Sequence, residues 1–273
     1  MKKISFKSMQ LIINGNVPEK KDMINISNSN RIKYIDENKK QLYKFKVNYN
    51  EDEEYLWIYA EYDYLNKRNN IIYNDISDEE EPNPRKPYQI ELKNQFFGMY
   101  YLKNNTLYLS DRKKMKILID YLKSILNVDV NIKLHYKDID EFSKAICSLK
   151  NIKFTVRPDL FQEETGIYNY LNNIYGFDLA EYIKIDVNYG RLSFKKNIDK
   201  FIKRIFQNYD NNQFNKLVVC GYDDNDIENI FNTEKYVVVV DIYVNTEKDT
   251  DLFNSDDVKK KILSNLKKIK RGK

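Results

Sequence analysis

The sequence has few of the residues on which metal sites, disulfide frameworks and histidine-based catalysis depend. It holds two cysteines, Cys147 and Cys220, and a single histidine, His135, among 273 residues. Two cysteines in apolar contexts supply neither a zinc quartet nor a disulfide framework. A catalytic triad would rest on His135 alone, on a predicted strand without a companion serine or cysteine motif. We therefore predict no catalytic residue, no metal ligand and a structural role for His135.

Glycine and long apolar runs are also scarce. The seven glycines are scattered, so the chain has no glycine-rich phosphate loop and no dinucleotide fingerprint. This excludes kinase, P-loop and Rossmann chemistry, and we expect no cofactor. The longest apolar run, YVVVVDIYV, is interrupted by Asp241 and predicts a strand, and the basic N-terminal stretch is too short in apolar residues for a signal peptide. With so little cysteine, a cytoplasmic location is expected.

Charged residues are abundant and unevenly distributed. The chain carries 46 lysines and arginines against 41 acidic residues, a net charge of +5. Basic residues cluster at 112–116, 195–204 and 259–273, and acidic runs lie at 51–54, 78–81 and 223–228. Segregated charge of this kind favours a polyanion partner over a membrane. Solvated lysines that only keep the protein soluble are the plain alternative.

Hydrophobic patterning predicts an α+β protein with a β-rich N-terminal domain, 1–156, and a mixed α/β C-terminal domain, 157–273, that ends in a basic helix. Alternating β-branched and aromatic residues dominate the first hundred positions, including PYQIELK, whereas 75–87 is typical of a polar loop. Helical spacing follows at 111–126, with Ser110 as its N-cap and Asp111 in its first turn, and in DIDEFSKAICSLK. KLVVCGY and KYVVVVDIYV predict later strands, separated by the acidic stretch DDNDIENIF.

The stretch RLSFKKNIDKFIKRIFQ, at 191–207, predicts a helix with two unlike faces. Its apolar stripe comprises Phe194, Ile198, Phe201, Ile202, Ile205 and Phe206, and its basic side comprises Lys196, Lys200, Lys203 and Arg204. Like charges at this spacing destabilise an isolated helix by about 0.2–0.5 kcal/mol per pair. Phosphates of a duplex would compensate them and release counterions, without any preference for sequence.

The predicted helix at 255–270 repeats this arrangement. Ser255 is expected to cap it, and Val258, Ile262, Leu266 and Ile269 form its buried stripe. The basic residues outside the stripe are Lys259, Lys260, Lys267, Lys268, Lys270 and Arg271. The helix dipole explains one or two cations near the C-terminus, not a whole row. We predict these residues as contacts to a nucleic-acid backbone, because no set of base-reading side chains accompanies them.

Two acidic constellations provide an alternative, a metal-dependent nuclease. Glu91 and Lys93 share one face of a predicted strand, with Asp75 or Asp78 upstream. Such an arrangement holds a divalent ion and steadies the attacking water. The second constellation comprises Asp223, Asp224, Asp226 and Glu228, for which an acidic turn is the plain interpretation.

The second half of the chain resembles RexA, the phage-exclusion family of temperate phages. The similarity lies in FKKNIDKFIKRIF and QFNKLVVCGYDDNDI, about 35 residues with a gap after Asp223, and more loosely in the order of elements. The matching positions are Phe194, Lys195, Ile198, Lys200, Lys203, Ile205, Gln213, Phe214, Leu217, Asp223 and Ile227. The resemblance implies a cytoplasmic homodimer that binds double-stranded DNA with little sequence preference, with Lys195, Lys200 and Lys203 as backbone contacts.

The resemblance also implies a role as sensor or effector of anti-phage defence, by exclusion or abortive infection. RexA works with a membrane protein, and KwaB is similar in its DNA-binding, membrane-partnered role, so a membrane-protein partner of the same system is expected. No small-molecule substrate is evident. Besides the nuclease, a protein-interaction module without nucleic acid remains open, since the surplus of aromatic residues would suit an interface. We further hypothesise that the acidic stretch 223–226 masks the basic helix.

Overall fold

The computed structural model describes residues 1–29, 32–65, 69–86, 89–136, 138–156, 183–192, 200–204, 206, 216–233, 238–248 and 250–269. Strand makes up 48% of the structure and helix 25%, in a large mixed sheet with a helix after it, so the predicted α+β class is confirmed.

Fourteen strands and four α-helices have defined bounds among the described residues. The strands are β1 (Lys2–Ile13), β2 (Lys33–Asp36), β3 (Gln41–Asn50), β4 (Tyr55–Tyr64), β5 (Ile71–Asn74), β6 (Glu79–Pro82), β7 (Asn94–Tyr101), β8 (Thr106–Leu109), β9 (Val130–Tyr136), β10 (Ser148–Val156), β11 (Ile183–Leu192), β12 (Lys216–Tyr222), β13 (Glu228–Asn232) and β14 (Val239–Val244). The helices are α1 (Lys20–Ser27), α2 (Met115–Leu126), α3 (Ile139–Ala145) and α4 (Ser255–Ile269).

Twelve of the described strands form one sheet. Its order is β11-β10-β12-β13-β9-β1-β8-β7-β4-β3-β2, with β14 paired to β1 off this path. Most neighbours are antiparallel, whereas β13 and β9 are parallel. Strands β5 and β6 form a separate hairpin.

The sheet is covered on both faces because several of its strands carry continuous apolar runs, whose successive side chains point to opposite faces. In β4, Leu56 and Ile58 belong to the core beneath α1 and α2, whereas Trp57 and Tyr59 belong to the core beneath α4. Aromatic rings join the layers: Phe45 stacks on Tyr121 of α2 with ring centroids 3.7 Å apart. Much of the aromatic surplus is therefore buried in the two cores.

Helix α2 agrees with its prediction, and α3 agrees in part. Asp111 accepts a hydrogen bond from the backbone N of Lys113 and caps the 3-10 turn that leads into α2. Ser110 is not the cap, because its Oγ accepts from the backbone N of Phe97. Helix α3 ends at Ala145, so Leu149, expected on the helix, lies in β10 and is buried there.

Four further expectations about secondary structure were wrong. The segment predicted as a polar loop contains strand β6, which pairs with β5 in a hairpin that exposes Ile76. Residues 89–93 of the predicted strand PYQIELK are not in a strand. The stretch between the later predicted strands contains β13, whose residues are all buried. In addition, Arg191 and Leu192 complete β11 rather than opening a helix.

Strands from both sides of the predicted domain boundary pair within the same sheet. Strand β10 precedes position 157, and its two neighbours, β11 and β12, follow it. Residues 157–182 lie outside the described residues, so the division into 1–156 and 157–273 stays a prediction. None of the helices in the described part is long and apolar enough to span a membrane.

The attachment of α4 to the sheet can be tested by removing buried volume. Ile262 is fully buried, so Ile262→Ala should lower the free energy of unfolding by about 2–5 kcal/mol through lost contacts and a cavity. Ser264→Ala, an exposed change on the same helix, should shift it by less than about 0.5 kcal/mol. Urea denaturation measures both, and equal effects would show that α4 is not packed as described.

Candidate nucleic-acid interface

Helix α4 is held against the sheet by its apolar stripe. Val258, Ile262 and Leu266 are buried as predicted, Leu263 joins them, and the side chain of Ile269 lies outside the described residues. The predicted cap was wrong: Asn254 Oδ1 accepts from the backbone N of Asp256 at 3.0 Å and of Asp257 at 3.2 Å. Ser255 Oγ instead accepts from the indole N–H of Trp57 at 3.1 Å, which ties the start of α4 to β4.

The four lysines of α4 that were predicted as contacts, out of five on the helix, fall into two kinds. Lys259 pairs with Asp256 at 2.6 Å and Lys267 with Glu53 at 2.7 Å. The hydrogen bond and charge of Lys259 hold the pKa of Asp256 below its usual range. Lys260 and Lys268 are exposed, and no carboxylate of the described residues lies within ion-pair distance of either. These two ammonium groups are therefore open to an external anion.

All four lysines border one groove between α4 and the turn that joins β3 to β4. Its volume is about 590 Å³, and its lining consists of Asn50, Glu53, Tyr55, Lys259, Lys260, Leu263, Ser264, Lys267 and Lys268. At a rise of 1.5 Å per residue, Lys260 and Lys267 lie about 10.5 Å apart along the helix axis. The structure thus brings four of the predicted contacts together on one surface.

The acidic turn at 51–54 closes one side of this groove, and its charge is largely compensated. Glu51 pairs with Lys20, Glu54 with Lys103 at 3.6 Å, and Glu53 with Lys267. Glu53 alone reaches a lysine of α4, where it occupies the position that a phosphate oxygen would take.

A lysine of the sheet extends the basic surface towards the start of α4. Lys46 of β3 lies with its Nζ 5.5 Å from the centre of the Tyr59 ring, and its charge contributes to the lowered pKa of Asp256. Lys46 and Asp256 also line a smaller adjacent cavity of about 220 Å³. The sequence offered no reason to join Lys46 to α4, because more than two hundred residues separate them.

The other predicted basic helix is described only at 200–204 and 206. Ile202 is buried, and Phe201 and Phe206 pack against the core, with the Phe206 ring 5.6 Å from that of Phe231. This confirms the predicted apolar stripe where it is described. Lys200 and Arg204 are exposed, whereas Lys203 pairs with Asp140 of α3 at 3.1 Å.

Several predicted contacts and stripe residues lie outside the described residues. They are Lys195, Lys196, Lys270 and Arg271 among the basic positions, and Phe194, Ile198 and Ile205 among the apolar ones.

The acidic stretch after β12 forms a turn, as predicted. Asp223 Oδ1 accepts from the backbone N of Asn225 and of Ile227, and Asp226 pairs with Arg191 of β11 at 3.2 Å. In the described part, the ion pair of this turn is thus made with β11. The hypothesis that the turn masks the basic helix stays a prediction.

The described residues considered for a metal site do not come together as a ligand group. Glu91 pairs with Arg85 and, at 3.4 Å, with Lys93, while Asp75 and Asp78 lie in the exposed turn of the β5–β6 hairpin. Within the described ranges, no three histidine, cysteine or acidic side chains form a group that could hold a metal ion. Cys147 is exposed, contrary to its apolar sequence context, and Cys220 is buried.

One buried charge cluster was missed because its glutamate was assigned to the acidic turn. Glu228 opens β13 with its side chain only 5% exposed, and it pairs with Lys133 and Lys150, each at 3.2 Å. These lysines come from β9 and β10, the strands that border β13 and β12. A buried carboxylate that holds two lysines fixes strand register more than it favours catalysis. The pair Ile230 and Phe231 was the available local signal for a strand.

The chain matches no protein-family model and no curated protein. The resemblance to RexA therefore stays a prediction.

Removing the carboxylate of Glu53 should strengthen anion binding by the groove. Glu53→Gln frees Lys267 from its ion pair, and we expect DNA affinity to rise about two- to fivefold, the range of an exposed ion pair. Glu51→Gln is the matched control, because it removes the same charge from the same turn but releases Lys20 instead. Fluorescence anisotropy with a labelled duplex measures both. Equal gains would assign the effect to net charge and not to the groove.

Proposed function

We propose that this protein binds double-stranded DNA through the phosphate backbone, without sequence preference, in the groove beside α4. The observation that carries the proposal is the pair of exposed lysines, Lys260 and Lys268. They share that groove with Lys259 and Lys267 and have no carboxylate partner among the described residues. Lysines held on a rigid helix lose less freedom on binding than lysines of a mobile tail.

The dimensions of the groove support a backbone contact. Phosphates of one DNA strand follow each other every 3.4 Å along the duplex axis, so the roughly 10.5 Å between Lys260 and Lys267 spans about three of them. The groove lining contains Asn50, Tyr55 and Ser264 besides charged residues and Leu263, and no arginine that could read guanine. Affinity would then come from counterion release and not from base contacts.

The biological setting remains what the RexA resemblance implies. We propose a cytoplasmic homodimer that acts as sensor or effector of anti-phage defence, together with a membrane protein of the same system. Lys195, Lys200 and Lys203 would add backbone contacts to those of α4. A dimer would double the number of phosphates contacted and so steepen the salt dependence of binding.

Neutralising the two unpaired lysines tests the groove directly. For Lys260→Gln combined with Lys268→Gln, we expect the slope of log affinity against log salt to become shallower by about 1.8, which corresponds to about two phosphate contacts. Affinity at 0.1 M salt should fall roughly 60-fold. Lys39→Gln combined with Lys116→Gln is the matched control. Both control lysines are exposed, lie away from the groove and have no ion pair among the described residues.

The same samples distinguish the proposal from its rivals. Anisotropy across a salt series, with and without magnesium, followed by a denaturing gel, reports binding and cleavage together. Equal weakening in both double variants would reject the groove. Magnesium-dependent cutting that Glu91→Ala abolishes would establish a nuclease, and no binding at low salt would favour a protein partner.

A further inference from the structure

The sheet divides at Ser8, in the middle of β1. Lys7 pairs with Leu109 of β8 and with Val239 of β14, so these strands occupy opposite edges of β1. Met9 pairs with Leu107 of β8 and Leu134 of β9. Strands β14 and β9 therefore follow each other along one edge of β1, and from Leu134 onward β9 pairs with β13. The hydroxyl of Ser8 bridges this point by accepting from the backbone N of Val238 at 2.8 Å.

Two adjoining cavities, of about 650 and 480 Å³, lie at this division and share Lys7, Arg112, Tyr136 and Glu141 in their linings. We call them together the fork cleft. The 3-10 turn at 112–114 borders it on one side and α3 on the other. Cavities of this size accommodate small ligands.

Arg112 is positioned within the fork cleft by a tyrosine. Its Nη1 donates to Tyr136 Oη at 2.9 Å, and its guanidinium carbon lies 5.8 Å from the centre of the same ring. No carboxylate of the described residues lies within ion-pair distance of it. An arginine held in this way keeps several N–H groups available for the bidentate contacts that phosphate favours.

Three lysines and a hydroxyl add to this donor set. Lys7, Lys113 and Lys144 line the cleft and are exposed, and none forms an ion pair among the described residues. Ser110 Oγ accepts from the backbone N of Phe97 at 2.8 Å, which leaves its O–H proton free to donate into the cleft.

The carboxylates of the cleft compensate these cations only in part. Asp111 accepts from the backbone N of Lys113 at 2.9 Å, and Asp138 from that of Glu141 at 2.8 Å, so both act as caps. They keep their charge, and with Glu141, exposed on α3, three carboxylates face the four cations Lys7, Arg112, Lys113 and Lys144. Glu141 is the one that does not cap a turn or helix. It would repel an anion from one side of the cleft.

We propose that the fork cleft binds the phosphate group of a small phosphorylated molecule, with Arg112 as its central contact. This site is separate from the groove beside α4. Side chains alternate along β1, so Lys7 lies on the face opposite Phe6, which is packed in the core beneath α4. A tetrahedral dianion suits the cleft better than a carboxylate because donors approach from the 3-10 turn, β1 and α3.

The test titrates inorganic phosphate, AMP and adenosine against thermal unfolding of the full chain at constant ionic strength, and derives Kd from the midpoint shifts. Phosphate and AMP should raise the unfolding midpoint, and adenosine should not. Arg112→Gln should weaken AMP binding about tenfold, the loss of one charge-assisted hydrogen bond, and Glu141→Gln should tighten it. If Arg112→Gln does not fold, the loss of AMP binding is measured with Lys144→Gln instead, an exposed change that removes another cation of the cleft.

The α4 variant Lys260→Gln/Lys268→Gln separates the two sites, because it should keep AMP binding while it loses DNA. If AMP stabilisation disappears in that variant and survives in Arg112→Gln, the fork cleft is not the site. The absence of stabilisation by both phosphate and AMP would overturn the proposal as well. Equal binding of the two probes would assign the affinity to the phosphate group itself.

Discussion

The face of β1 that helices cover changes along the strand, and the rest of the structure depends on this constraint. Ile4 and Phe6 are buried beneath α4, whereas Met9, Leu11 and Ile13 are buried on the other face, with α1 and α2. Because side chains alternate strictly, the apolar positions shift from even to odd at Ser8, and the helical cover changes sides there. Lys7 lies at this change, on the face that α4 does not cover.

Both proposed sites follow from how lysines are distributed over this scaffold. Many of the described lysines are paired with carboxylates from other parts of the fold, as Lys103 is with Glu54 and Lys203 with Asp140. Among the exceptions, Lys260 and Lys268 beside α4 and Lys7, Lys113 and Lys144 at the fork cleft lie where rigid elements hold several cations close together. Ion pairs at the surface add little stability, so their absence at these places costs the fold little. Binding surfaces can therefore be basic without a matching loss of stability.

The sequence predicted the elements whose signal is local. The apolar stripes of α4 and α2 depend on residues a few positions apart, and both were confirmed where they are described. Asn254 could not be separated from Ser255 as the cap, because what distinguishes them is the distant Trp57, which engages Ser255. Strand β13 was missed because its opening Glu228 is neutralised by Lys133 and Lys150, contacts that no local pattern contains.

For the candidate sites, residue type was predictable and assembly was not. The lysines of α4 were identified from the helical period, but the acidic turn that borders them and Lys46 came together only through the sheet. Arg112 had been grouped with its basic neighbours, and nothing in the sequence placed Tyr136 beneath it. Periodicity in the sequence cannot predict which side chains meet across paired strands, since their separation along the chain is arbitrary.

The pairing of β1 with β14 has a consequence for the time course of folding. Ser8 and Val238, which are joined by hydrogen bonds, are 230 residues apart. Closing so long a loop is entropically costly, and proteins dominated by distant pairings fold slowly. During synthesis, the backbone groups along the edge of β1 that pairs with β14 stay unpaired until β14 has been made. The cell has to keep this edge from pairing with other chains for as long as translation takes.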